Sequence, residues 1–324
     1  MANLNTVAHL LMIIAGIIMY VLGSIGNILN ICVFIKWSRP RTTAGNGHHN
    51  ANQTNNSPLY LLASSIANLM VIIYPLLTRI IYDGFNHLIS PNQVILLCQI
   101  RYFILHTSDL MSLTCFCMAT FDRYLITSRN VHLRHMSTTR QLTKIIILLI
   151  FILISLHSIP VAIYYQVSSA GQCFISSSSY QYYYLYILLL LFHGILPIIF
   201  LSIFGSLTYK NLKTLQGQTH AHVTHDKQLS RMLFLMSFAI IISSIPYCME
   251  QIYEVMYTDS NSQQSSLVYL LHIISLILFY TNPVSNFYIY FISTPNFRHE
   301  LKKLFHYNKH THHFVHNQIH TTIT

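Results

Sequence analysis

The chain has 324 residues, of which 53% are hydrophobic and only 8% charged, against roughly 25% charged in soluble domains. That balance excludes a soluble globular or disordered protein and describes an integral membrane protein. The net charge of +10 reads as membrane topology and contact with anionic lipid, which leaves nucleic-acid binding without a role.

Seven apolar stretches are long enough to cross a bilayer, at about 10–35, 58–82, 95–121, 143–166, 183–209, 229–256 and 266–291. Seven spans put the two termini on opposite sides. With the amino terminus outside, sixteen of the eighteen Lys and Arg residues fall on the cytoplasmic side, opposed by Asp122, Asp226 and Glu300. This leaves +13 inside and −3 elsewhere, the distribution that basic residues retained in the cytoplasm predict. The first span is too long for the apolar core of a cleavable signal and has no basic residue ahead of it, so it is expected to be retained.

Span one contains Gly26-Asn27. An Asn in hydrocarbon needs an interhelical partner, and a hydrogen bond tying spans one, two and seven is the expected role. The loop from 36 to 57 is long and rich in Asn, Thr, His and Gly, and reads as disordered. Its two Asn-x-Ser/Thr patterns, at Asn52 and Asn55, would face the cytosol and stay unmodified. In span two, Asn68 lies within an apolar run and Pro75 is expected to kink the outer end.

Span three runs from Cys98 to Asp122-Arg123-Tyr124, with 25 steps between Cys98 and Arg123. As a helix that is about 37 Å, enough to cross a core of about 30 Å. This cysteine, spacing and triplet resemble the third helix of a rhodopsin-like G-protein-coupled receptor. The resemblance extends from Asn27 to Phe305 and implies a seven-transmembrane helix bundle. It implies a disulfide between Cys98 and Cys173, which are also the two cysteines at the predicted outer ends. It assigns Asn27 to the Gly-Asn of the first helix, and places Asn68 where the family carries a sodium-binding Asp. A neutral amide lacks the counter-charge for that ion. Cys98, Tyr102, His106 and Asp109 share one helical face, and an ionisable group at membrane depth is a functional candidate. The amine-binding Asp of amine receptors would stand at Leu105, and no Lys for retinal lies in 266–291.

Span four lacks the family's Trp, and span five keeps its proline as Pro197, with His193 one turn above. Several tyrosines between 180 and 186 suit a membrane interface. In span six, Ser243-Ser244-Ile245-Pro246 stands for Cys-Trp-x-Pro, so Pro246 kinks the helix while the aromatic relay falls to other packing, Tyr247 or Phe238. Asp226 is placed by the resemblance as the acid that pairs with Arg123 at rest. Glu250 and Glu254 lie four apart on one face at the outer end and suit a cationic ligand. In span seven, Asn286-Phe287-x-x-Tyr290 aligns with the family's Asn-Pro-x-x-Tyr, with Asn282 one turn earlier. That pattern resembles invertebrate FMRFamide-type neuropeptide receptors in particular.

Residues 295–305 alternate Phe297, Leu301, Leu304 and Phe305 with Arg298, Lys302 and Lys303, an amphipathic helix for the inner leaflet. The expected organisation is a short extracellular amino terminus at 1–9, a seven-span receptor domain at 10–293, a membrane-surface helix at 294–306 and a His-rich disordered cytoplasmic tail at 307–324. No cofactor or metal site is expected, the His tract reading as polar tail.

The resemblance implies a plasma-membrane receptor that binds an extracellular ligand, activates a heterotrimeric G protein and meets arrestin. The candidate lining is Tyr102, His106, Asp109, His193, Tyr247, Gln251, Glu254 and His272. A short amidated peptide ending Arg-Phe is the preferred ligand class, and a chemosensory receptor for small molecules is the alternative. A seven-span transporter would need paired broken helices or a continuous polar path, and the sequence has neither. No nucleophile with a base, and no metal cluster, lies at membrane depth, which argues against an enzyme.

Overall fold

A computed structural model describes residues 2–39, 56–85, 95–167, 173–214, 220–257 and 265–304. Most of the long first loop, the side chains of Asp226 and Glu254, Phe305 and the His-rich tail lie outside the described residues.

Seven helices are long and apolar enough to cross a membrane: Leu4–Trp37, Ser57–Gly84, Cys98–Thr127, Arg140–Tyr164, Ser178–Asn211, Arg231–Tyr253 and Ser266–Ser293. We call them spans one to seven. Several exceed the apolar stretches, because backbone hydrogen bonding continues a helix past the hydrocarbon edge while hydropathy registers only the apolar part. The first helix starts at Ala2, so much of the stretch expected as an amino-terminal segment is helical.

Proline sets local irregularity. In span two, Pro75 falls within a wider π-type turn, Ile72–Leu76, because its ring removes a donor and crowds the preceding turn. Thr78 Oγ1 donates to the carbonyls of Tyr74 and Pro75, at 2.9 and 2.8 Å, and satisfies acceptors there. Pro246 and Pro283 lie inside spans six and seven.

Between spans four and five, β1 (Tyr165–Val167) pairs antiparallel with β2 (Cys173–Ile175), with Gln166 opposite Phe174. Cys173 is bonded to Cys98 at a Cα separation of 5.8 Å, within the range such a bond requires. Gln99 Nε2 also donates to the Tyr165 carbonyl at 3.3 Å. The hairpin is thereby held against the end of span three that carries the disulfide.

The core has two layers. One, toward the disulfide, gathers Leu185, Leu188, Ile273 and Tyr280, and the other, toward Arg123, gathers Phe116, Met236, Tyr290 and Phe297. Span one packs closely because Gly26 has no side chain. A Cβ there would stand 2.8 Å from the Cβ of Phe287. Small residues permit such approach where water provides no driving force between helices.

A helix at 295–304 follows span seven. Phe297 and Leu301 are buried. Phe297 packs on Phe34 and Trp37, at ring distances of 6.1 and 5.9 Å. Lys36 pairs with Glu300 at 2.7 Å, tying the end of span one to the same helix.

Candidate functional site

Two regions concentrate polar groups inside the bundle. The first lies at the Asp-Arg-Tyr end. Asp122 and Arg123 are both buried. Ser57, at the start of span two, donates to Asp122 Oδ2 at 2.6 Å and accepts from Arg123 Nε at 2.9 Å. Pro58 just after it suits a helix's first turn, where the missing donor costs nothing. Asn56 Nδ2 donates to the Thr138 carbonyl, connecting this point to the loop after span three. The ring of Tyr124 turns toward span five, 5.3 Å from Phe204.

In span one, Asn27 Nδ2 donates to the carbonyls of Gly23 and Pro283, at 2.9 and 2.8 Å. Its link therefore runs to span seven. Asn27 Oδ1, Asn68 Nδ2 and Asn286 Oδ1 are buried and make no hydrogen bond. Tyr290 is buried against Phe34 at 5.3 Å.

The second region is a cavity between spans three, five, six and seven, with a free volume of ≈ 10 Å³, about that of one water. Its lining includes Leu105, His106, Asp109, His193, Ser244, Tyr247, Phe279 and Asn282. His193 Nδ1 meets Asp109 Oδ2 at 2.8 Å, and His106 Nε2 meets Tyr184 Oη at 2.7 Å. The two imidazoles stand edge to face at 5.6 Å. The remaining nitrogens, His106 Nδ1 and His193 Nε2, have no partner. The cavity thus offers a carboxylate, two imidazoles and an aromatic wall, with Tyr247 and Phe279 4.5 Å apart. This is equipment for recognising a polar group beside an aromatic one. Among the described residues, no group of three or more His, Cys, Asp or Glu could hold a metal ion.

Of the eight residues proposed as ligand lining, four meet here: His106, Asp109, His193 and Tyr247. Tyr102 lies outside the cavity, stacked on Tyr165 at 3.9 Å and accepting from Arg79 at 3.1 Å. Gln251 and His272 are drawn instead to Glu250, with His272 Nδ1 at 2.8 Å from Oε1 and Gln251 Nε2 at 3.0 Å from Oε2. Glu250 therefore joins spans six and seven. The eighth, Glu254, has its side chain outside the described residues, as does Asp226, the expected partner of Arg123. Of the two aromatic relay candidates, Tyr247 is 4% exposed and lines the cavity, whereas Phe238 is 60% exposed on the outer face of span six.

Ser57 and Phe279 were not among the sequence candidates. Ser57 lies 65 residues before Asp122 and entered the sequence reading only as the last residue of the Asn55 pattern, while Phe279 has the look of any apolar residue in a span.

A family model described as 7 transmembrane receptor (rhodopsin family) matches residues 26–290. No curated protein matches the chain. With the seven spans and the disulfide-linked hairpin in place, the chain belongs to the rhodopsin family of seven-transmembrane receptors, which signal through G proteins and are receptors, not enzymes.

Proposed function

We propose that the protein is a plasma-membrane receptor for a short, amidated peptide, with the amino terminus and the disulfide-linked hairpin outside and the surface helix and His-rich tail in the cytoplasm. The observation that carries the peptide reading is the pairing of chemistries in the cavity. Asp109 offers a carboxylate for a guanidinium, and Tyr247 and Phe279 offer a wall for an aromatic side chain. These are the two groups of an Arg-Phe amide terminus. The resemblance of Asn282, Asn286, Phe287 and Tyr290 to the pattern of FMRFamide-type receptors supports the same class.

In this reading the ligand enters between spans three, five, six and seven and displaces His193 from Asp109. Span six then pivots at Pro246, with Tyr247 as the aromatic relay where the family has Trp. Arg123 leaves Ser57 and Asp226, and Asn286 and Tyr290 repack at the inner end of span seven, opening a site for the G protein and afterwards for arrestin. A ligand shifts this equilibrium only by its difference in affinity between the two states. The small cavity volume favours a second reading, a chemosensory receptor for small molecules.

G-protein activation in cells expressing the chain, challenged with a panel of amidated peptides, tests the proposal. A response that disappears in Arg123→Ala and weakens at least about tenfold in Asp109→Asn, a loss of 1.4 kcal/mol or more, is the expected result. Silence to every peptide, with a response to small odorants instead, transfers the protein to the chemosensory reading. Activation that persists without Arg123 overturns the coupling mechanism.

A further inference from the structure

Two buried guanidiniums share the disulfide end of the bundle, and one of them has no acid within ion-pair distance among the described residues. Arg79, in span two, donates to Asp83 at 3.0 Å and to Tyr102 Oη at 3.1 Å. Arg101, three residues after Cys98, is 3% exposed. Its guanidinium lies 4.7 Å from the ring centre of Tyr102 and 5.7 Å from that of Tyr82. Its Nε makes no hydrogen bond, and among the described residues no carboxylate lies within ion-pair distance of it. Asp83 is taken by Arg79, and Glu250 by His272, Gln251 and Ser275.

Magnitudes decide what this means. A ring face contributes roughly 0.5 to 2 kcal/mol to a cation. An unpaired buried charge costs several kcal/mol, more than two tyrosines return. Rings also supply no acceptor, so they leave the forked N–H donors of a guanidinium unfilled. A carboxylate fits that fork with two parallel hydrogen bonds. Tyr165, stacked on Tyr102, brings the hairpin beside the same spot. Arg101 lies one helical turn from Leu105, which lines the cavity, on the disulfide side of it.

We propose that the guanidinium of Arg101, set against Tyr82 and Tyr102, binds a carboxylate of the ligand. This rests on the receptor reading above and narrows it. In an amidated peptide the terminal carboxyl is blocked, so the two oxygens come from an Asp or Glu side chain. The peptide therefore carries an acidic residue for Arg101 in addition to its basic residue for Asp109.

Thermal unfolding of the purified full-length chain in detergent tests the site without a known ligand. Sodium benzoate is compared with benzamide in sodium chloride at equal ionic strength, for the native chain, Arg101→Met and Arg101→Lys. In the native chain benzoate raises the unfolding temperature about 2 °C or more above benzamide. The difference vanishes in Arg101→Met and shrinks in Arg101→Lys, which keeps the charge and loses the fork. Should Arg101→Met not fold, the native and Arg101→Lys chains carry the comparison. A native chain that responds equally to benzoate and benzamide overturns the proposal, as does a benzoate effect undiminished by the substitutions. G-protein activation does not enter this readout, so a failure here leaves the signalling test of the receptor reading intact.

Discussion

The hydroxyl of Ser57 meets the carboxylate of Asp122 at 2.6 Å, and its oxygen accepts from Arg123 Nε at 2.9 Å. One side chain of span two thus occupies both charged residues at the end of span three. Removing it leaves Asp122 buried with one donor fewer, and a hydrogen bond to a charged group contributes about 1.5–3 kcal/mol. Ser57→Ala is therefore expected to raise basal G-protein activation about tenfold, since 1.4 kcal/mol is a factor of ten in an equilibrium. Basal signal per receptor at the cell surface is the measurement. A basal signal that stays level or drops would mean that Ser57 does not restrain Arg123.

Gly26 and Phe287 set the distance between spans one and seven. A methyl group on Gly26 would sit 2.8 Å from the Cβ of Phe287, an atom fixed to the backbone that cannot swing aside as a chain terminus would. Span seven must shift, which strains the bond from Asn27 to the Pro283 carbonyl in the next turn. Overpacking of this kind costs about 1–3 kcal/mol. Gly26→Ala is expected to unfold at lower temperature and to reach the surface in reduced amount. Stability equal to the native chain would mean that the two spans have slack there.

The bundle was legible in the sequence because hydrocarbon leaves the chain few options: each span must be apolar, and basic residues mark its ends. What periodicity could not supply was partnership across spans. Asp109 on span three and His193 on span five were separate candidates, and their bond, 84 residues apart, emerges only in three dimensions. Gln251 and His272 lay on plausible faces, yet Glu250 claims both. Arg101 entered the sequence reading only as a charge to be counted for topology. That no carboxylate pairs with it among the described residues is a property of its neighbours, Tyr82 of span two and Tyr102 of span three.

Glu300 joins the surface helix to span one. Its partial burial alone would raise the pKa of its carboxyl, but hydrogen bonds from Lys36 and Lys303 outweigh that and hold it below the ordinary value. A carboxylate with a depressed folded pKa stabilises above its unfolded pKa, and that contribution is lost as pH falls through the folded pKa. Lys36 and Lys303 are both well exposed, so the effect is small, about 0–1 kcal/mol. Unfolding temperature followed from neutral pH downward should fall less steeply in Glu300→Gln than in the native chain. Parallel curves would remove Glu300 as a contributor.

The Asp109–His193 pair makes the sharpest energetic claim in the cavity. Both groups are buried, with a 2.8 Å bond as their mutual satisfaction. Deleting one partner of a buried pair costs about 3–5 kcal/mol because the other is left unpaired, while replacing both is far cheaper. His193→Ala should therefore lower the unfolding temperature sharply, and Asp109→Asn should lower it less because the amide oxygen can still accept. Adding Asp109→Leu to His193→Ala should recover much of the loss, since the orphaned carboxylate goes with its partner. Additive losses in the double variant would show that each residue is held by other neighbours. The proposal that a ligand takes His193's place on Asp109 would then lose its energetic basis.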